Sequence, residues 1–142
     1  MDFDTVMMLG RIIFSALFIG SGVGHLMDTE GSTGYAESKG LGDNSKLLVQ
    51  ISGATFALGG VAMLFGALTD LAALLLAIQV LIIGFMMHAF WKETDEQTKQ
   101  MEMSMFMKNL AIAGGAIVIS GAYGGPGGEF LTGQLIDPVG LW

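Results

Sequence analysis

One stretch limits what this chain can become. Residues 71–91 read LAALLLAIQVLIIGFMMHAFW, twenty-one positions without a formal charge, bounded by Asp70 and by Lys92-Glu93. At ~1.5 Å per residue this makes ~31 Å of helix, the thickness of a bilayer's hydrocarbon core. Three further stretches, 5–27, 47–68 and 105–123, share its length and character. The sequence predicts an all-α integral membrane protein: a four-transmembrane-helix bundle of up-down topology, forming one domain over 1–142. Polar loops are expected at 28–46 and 92–104, with a glycine-rich tail at 124–142.

Composition enters as support. Only 13% of residues are charged, against ~25% in soluble domains, and glycine, present 22 times, is common in membrane helices. Cysteine is absent, so this chain itself carries no disulfide, thiolate metal site or thiol-based redox step. The net charge of −7 lies almost wholly outside the apolar segments. Acidic loops exclude nucleic acid as a partner and oppose docking on anionic headgroups, leaving membrane lipid as the expected surroundings. Thirteen acids on so little aqueous surface fit either a halophile's saline surroundings or ordinary acidic loops. The opening MDFDT carries acids where a signal peptide carries positive charge, so the first apolar run is expected to be a retained span.

Along the chain, Arg11 lies about one turn inside the first span. It can snorkel to the interface or make a buried ion-pair or ligand contact inside the bundle. Gly20-x-x-x-Gly24 matches the small-residue pattern of helix association, and His25 follows where the span meets the headgroups. Tyr35 suits an interfacial anchor in the first loop. Gln50, Ser52 and Thr55 stand near the start of span two, whose glycines (Gly53, Gly59, Gly60, Gly66) predict close packing against spans one and three. The short link at Thr69-Asp70 makes spans two and three antiparallel neighbours. Gln79 sits near the midplane, where a polar group needs a hydrogen-bond partner on a neighbouring helix or a role on a ligand or proton path. The run KETDEQTKQMEMS at 92–104 reads as a solvated charged face, continuing helically into span four. Met101, Met103, Met105 and Met107 read as gap-filling hydrophobes. In the tail, Phe130, Leu131, Leu135, Ile136, Leu141 and Trp142 suggest a segment lying on the interface or contacting a partner.

Four spans put both polar loops on one side. That side carries Lys39, Lys46, Lys92, Lys99 and Lys108, which the positive-inside rule places in the cytoplasm; Arg11 pulls the first span the other way. At the loop-side leaflet His25, Gln50, His88, Trp91, Lys108 and Asn109 reach one depth, a suitable place to hold a quinone headgroup or an anionic substrate. These six are the candidates for ligand binding or proton relay; Arg11, Gln79 and Tyr35 are structural or ligand candidates. The histidines read as interfacial side chains bonded to loop carbonyls, or as ligand and proton-transfer groups. Haem between His25 and His88 has thin support, and no metal site is expected, since zinc would need a third and fourth ligand.

The chain resembles the DoxX family of small four-span membrane proteins, which includes relatives of a small subunit of thiosulfate:quinone oxidoreductase. The likeness covers most of 6–123. It rests on Arg11 leading to the glycine-rich approach to His25, on Tyr35 and Gly40, and on the Gly59-Gly60 to Gly66 spacing. Its most specific part is His88-Ala89-Phe90-Trp91 joined to Lys108-Asn109, with Gly114-Gly115 following. The resemblance implies a multi-pass protein of a prokaryotic plasma membrane, associated with oxidoreductases and in some members with quinone reduction. Function is expected to be that of a membrane subunit of an oxidoreductase system shaping a quinone or small-molecule site near one leaflet. The alternatives are a non-catalytic assembly or anchoring protein for a partner complex, and a small transporter. Quinone is the cofactor to test, with no cofactor held by the chain alone as the plainer expectation. An oxidoreductase partner, a larger complex and a homo-oligomer are all compatible with the glycine content.

Overall fold

The computed structural model describes residues 2–128, 131 and 133–142. Its helices are α1 (Phe3–Met27), α2 (Thr29–Ser38), α3 (Ser45–Phe65), α4 (Thr69–Met87) and α5 (Glu96–Gly124), with single 3-10 turns at Gly42–Asn44 and Phe90–Lys92. The described residues form no sheet, only an isolated parallel bridge between Ala67 and Ile136. Four helical segments are long and apolar enough to cross a membrane. The protein is therefore an all-helical four-span bundle, as the apolar runs predict.

The helix limits follow from local chemistry. Asp2 caps α1 by accepting from the Thr5 amide at 2.8 Å. Asp28 ends α1 and starts α2: its amide donates to the Gly24 carbonyl, and its carboxylate accepts from the Gly31 amide at 3.1 Å. Span two closes at Phe65 because Gly66 takes φ +68°, a left-handed position that suits glycine. Asp95 caps α5, accepting from both the amide and the hydroxyl of Thr98 at 2.8 Å. No breaker separates that cap from span four, so most of the expected polar loop at 92–104 is the first turns of α5. The other expected loop, 28–46, contains α2, which packs on α3.

The bundle is apolar outside. Ile13, Leu58 and Val118 are each at least 70% exposed, as lipid-facing side chains are. The buried core is thin: Phe18, Phe56, Met63, Leu76 and Val80, filled in by Ala73, Ala77, Ala113 and Ala116. Without a hydrophobic driving force between helices in lipid, close backbone approach has to hold them. α1 packs chiefly on α3, and α4 on α5. A Cβ on Gly22 would enter the backbone of Gly53 and Ala57, and one on Gly60 would lie 2.9 Å from the Ile19 nitrogen. Gly53 abuts His25 and Leu26, while Gly59 abuts Leu76 of α4. Gly53, Gly59 and Gly60 thus pack against spans one and three as expected, while Gly66 meets the tail at Gly133 and Gln134 and the Arg11 side chain. Gly20 and Gly24 meet no other helix within the chain, since a side chain at either position would meet open space. Gly22, between them, is the contact.

Within the chain, the tail makes its contacts with the bundle itself. It folds back on the terminal-side end of the bundle. The Leu135 amide lies 3.1 Å from the Phe65 carbonyl and 3.0 Å from that of Gly66, bonding into the helix end. The wholly buried Asp70 carboxylate accepts from the amides of Val139 at 3.0 Å and Gly140 at 2.9 Å, and more distantly from that of Leu141. The Trp142 indole donates to Ser120 at 3.1 Å. Phe130 lies outside the described residues.

Three substitutions test this architecture. Gly22→Val should lower bundle stability by about 1–3 kcal/mol through overpacking, whereas Gly20→Ala should change it by less than about 0.5 kcal/mol; thermal unfolding in detergent measures both. Asp70→Ala should strand the amides of residues 139–141, and hydrogen exchange at those amides should accelerate while the centres of α3 and α4 stay protected.

Candidate functional site

The loop-side ends of α1, α3 and α4, roofed by α2, line a half-open cleft of about 660 Å³ whose side faces the surroundings of the bundle between α3 and α4. Its walls are aliphatic, including Leu75, Ile78, Ile82 and Ile83, and its polar lining includes His25, Tyr35, Ser52, Thr55, Gln79 and His88. Size and lining match those of small-molecule sites, in which a few polar groups fix orientation within an apolar envelope.

Each polar group is positioned by a neighbouring helix. His25, in the last turn of α1, places Nδ1 3.0 Å from the Ser52 hydroxyl of α3 and packs its ring on Phe56, with centroids 5.9 Å apart. Gln79 reaches α3: its amide donates to the Ser52 carbonyl at 3.1 Å, and its carbonyl accepts from Thr55 at 2.6 Å. A partner on the adjacent helix thus answers its midplane polarity, and the side chain still lines the cavity. His88 stands at the C-cap of α4, with Nδ1 2.8 Å from Glu102 of α5.

Glu102 is the residue that sequence reasoning passed over. It belongs to the run read as a solvated face, yet it is 2% exposed. Its second oxygen accepts from Lys39 at 2.5 Å and from the Tyr35 hydroxyl at 3.4 Å, and Lys39 also reaches Glu93 at 3.2 Å. A buried carboxylate is tolerated only when paired and hydrogen-bonded, and here two basic side chains and a phenol surround it. Burial disfavours the charged form of Lys39, but its bonds to Glu102 and Glu93 outweigh this and raise its pKa above the ordinary value. The Tyr35 phenol is also raised, by burial and by the nearby negative charge of Glu102. The signal for Glu102 was its spacing. It precedes Asn109 by seven residues, two turns of one helix, so both lie on the face turned to α4.

The same geometry separates the remaining candidates from the cavity. Asn109 is half-buried, and its side chain packs where Gly84 of α4 leaves room. Lys108, about 100° around α5, is exposed, with its ammonium 3.3 Å from the Met105 sulfur. Gln50 is exposed, one position off the inward line of Val49, Gly53 and Phe56. Trp91 is 49% exposed and sits among Phe85, Phe90 and Phe106, with centroids 5.1–6.2 Å away, an aromatic cluster of the kind that anchors at a membrane interface. None of these four lines the cavity.

Arg11 lies at the opposite end. It is 2% exposed, which overturns the snorkelling reading and leaves the buried contact. Nη2 donates to the Gly133 carbonyl at 2.6 Å, and the guanidinium lies 5.3 Å from the Tyr123 ring centroid, within cation–π range. Among the described residues no three His, Asp or Glu side chains converge as metal ligands.

Comparison with known proteins decides the family. The family description DoxX matches residues 6–89. The chain belongs to the DoxX family. This DoxX chain is also 34% identical over 125 residues to the inner membrane protein YqjF of Escherichia coli strain K12, covering 87% of each chain. No solved structure matches it significantly.

The ionic cluster yields a prediction with a defined pH window. Lys39→Met should destabilise the protein by about 2 kcal/mol at pH 7, less than for a lone buried pair because His88 still bonds Glu102. Since the folded pKa of Lys39 lies above the ordinary 10.5, its contribution is complete below that value and is lost as pH rises through the folded pKa. Thermal midpoints of the two proteins should differ at neutral pH and converge at strongly alkaline pH.

Proposed function

We propose that this DoxX protein is a membrane subunit of an oxidoreductase system and that its cavity binds an apolar molecule of the quinone class at the loop-side leaflet. The carrying observation is the cavity itself: a half-open aliphatic cleft of about 660 Å³ with His25, Tyr35 and His88 at its loop-side end and Gln79 nearer the midplane. A ring headgroup would sit between His25, Tyr35 and His88, with its hydrocarbon part along Leu75, Ile78 and Ile82. From His88 a hydrogen-bonded chain runs through Glu102 and Lys39 to Glu93, whose side chain is 29% exposed. Such a chain can carry protons between a buried headgroup and the aqueous side, a requirement of quinone chemistry in lipid. The E. coli relative is described as an inner membrane protein, which supports placing this chain in a prokaryotic plasma membrane.

The test is purification from native membranes in gentle detergent, followed by mass spectrometry of everything retained. A quinone-class molecule should remain at about one per chain and be lost in Ile82→Trp, which fills the cavity. Equal retention by both proteins would remove the cavity from the account. A stoichiometric oxidoreductase subunit should co-purify; a clean, partnerless species would end the subunit half of the proposal.

A further inference from the structure

The cavity's hydrogen-bond roles can be read atom by atom, and they point in one direction. Ser52 has a single hydroxyl hydrogen, and it is donated to the Val49 carbonyl at 2.9 Å. With its hydrogen placed there, Ser52 accepts from His25 Nδ1 across their 3.0 Å contact, and this is the tautomer we assign to the histidine. A neutral imidazole protonated at Nδ1 carries a bare lone pair at Nε2. His88 is fixed in the same way. Glu102, bonded to Lys39, is a carboxylate and can only accept, so His88 Nδ1 donates to it at 2.8 Å. In the neutral ring its Nε2 is again a lone pair. Tyr35 has one hydroxyl hydrogen, directed to Glu102 at 3.4 Å, which leaves its oxygen lone pairs. Neither histidine Nε2 has a hydrogen-bond partner among the described residues, and all three side chains line the cavity. The donors that remain are the second amide hydrogen of Gln79, nearer the midplane, and the Ser32 hydroxyl.

We infer that the cavity selects a hydroxyl-bearing headgroup, a phenol or hydroquinone, over the corresponding carbonyl or ether, because Ser52 and Glu102 hold His25 and His88 in the tautomer that accepts at Nε2. A hydroxylated ring meets acceptors at both histidines. A quinone carbonyl or an ether oxygen brings its own lone pairs against theirs and leaves the site's polar atoms unmatched, the mismatch that gives polar sites their discrimination. The inference rests on the cavity being a binding site and adds the chemical state of what it takes. In a quinone couple, that state is the reduced one.

A pair of ligands differing only in the donor tests this without redox chemistry: 4-nonylphenol and its methyl ether. Their equilibrium binding to the full chain in nanodiscs would be measured at about pH 8, where an ordinary imidazole is neutral. Empty nanodiscs and the Ile82→Trp protein correct for partition into lipid. The phenol should bind about tenfold more tightly than the ether, the effect of one or two hydrogen bonds. His25→Phe, which keeps the ring shape, should cut that ratio severalfold. Ser52→Ala should also lower it, because His25 is then free to present an N–H. Equal binding of phenol and ether, both abolished by Ile82→Trp, would overturn the inference and keep the cavity as a site. Binding of neither ligand, or binding indifferent to Ile82→Trp, would overturn both. A ratio unchanged in Ser52→Ala and His25→Phe would place the discrimination outside the histidines and defeat the inference in that form.

Discussion

The carboxylate of Glu102 is the group on which the loop-side half of the molecule depends. Removing a carboxylate from water costs several kcal/mol that only close partners return, and here the partners come from two other elements, α2 and α4. Lys39 stands at the end of α2, His88 at the end of α4, and Tyr35 within α2. One acid therefore fastens the short helix α2 over the spans and sets the orientation of a cavity histidine. Without it α2 would have only its packing on α3 and α1, little for ten residues of low apolarity.

The opposite end of the bundle uses the same logic with the charges exchanged. There the buried cation is Arg11, beneath the Gly133 carbonyl and beside Tyr123, and the buried anion is Asp70, wrapped by backbone amides of the tail. Backbone groups serve as partners because glycines let the chain come close. Gly66 has no space for a Cβ between the tail and the guanidinium, and Gly133 lies against the same side chain. Between the two ends the spans are held by backbone proximity at Gly22, Gly53, Gly59 and Gly60, since lipid supplies no hydrophobic force between helices.

Much of this was legible in the sequence. Four apolar runs of bilayer length fix the number of spans, and the short link between the second and third fixes their antiparallel pairing. His25, His88, Gln79 and Tyr35, which line the cavity, were legible as candidates because a polar side chain in or beside an apolar run requires an explanation. Glu102 was not, because a carboxylate among Lys99, Glu96 and Asp95 looks solvated until the helix is extended back to its cap and its inward face is known. The azimuth of a side chain also decided against Lys108 and Gln50: both have the right depth and the wrong side of the helix. Depth can be counted along a sequence, whereas facing requires knowing which neighbour each helix chooses.

The tail's attachment has a consequence for biogenesis. Asp70 enters the membrane boundary with α4, but the amides that satisfy it lie 69 to 71 residues further on. Until α5 has been threaded, that carboxylate has no internal partner and must stay hydrated, which keeps the α3–α4 corner at the water's edge. Contacts of such long sequence separation form late, after their loop-closure entropy has been met. The last segment therefore works as a latch that engages after the spans are in place, and only then can the corner dehydrate.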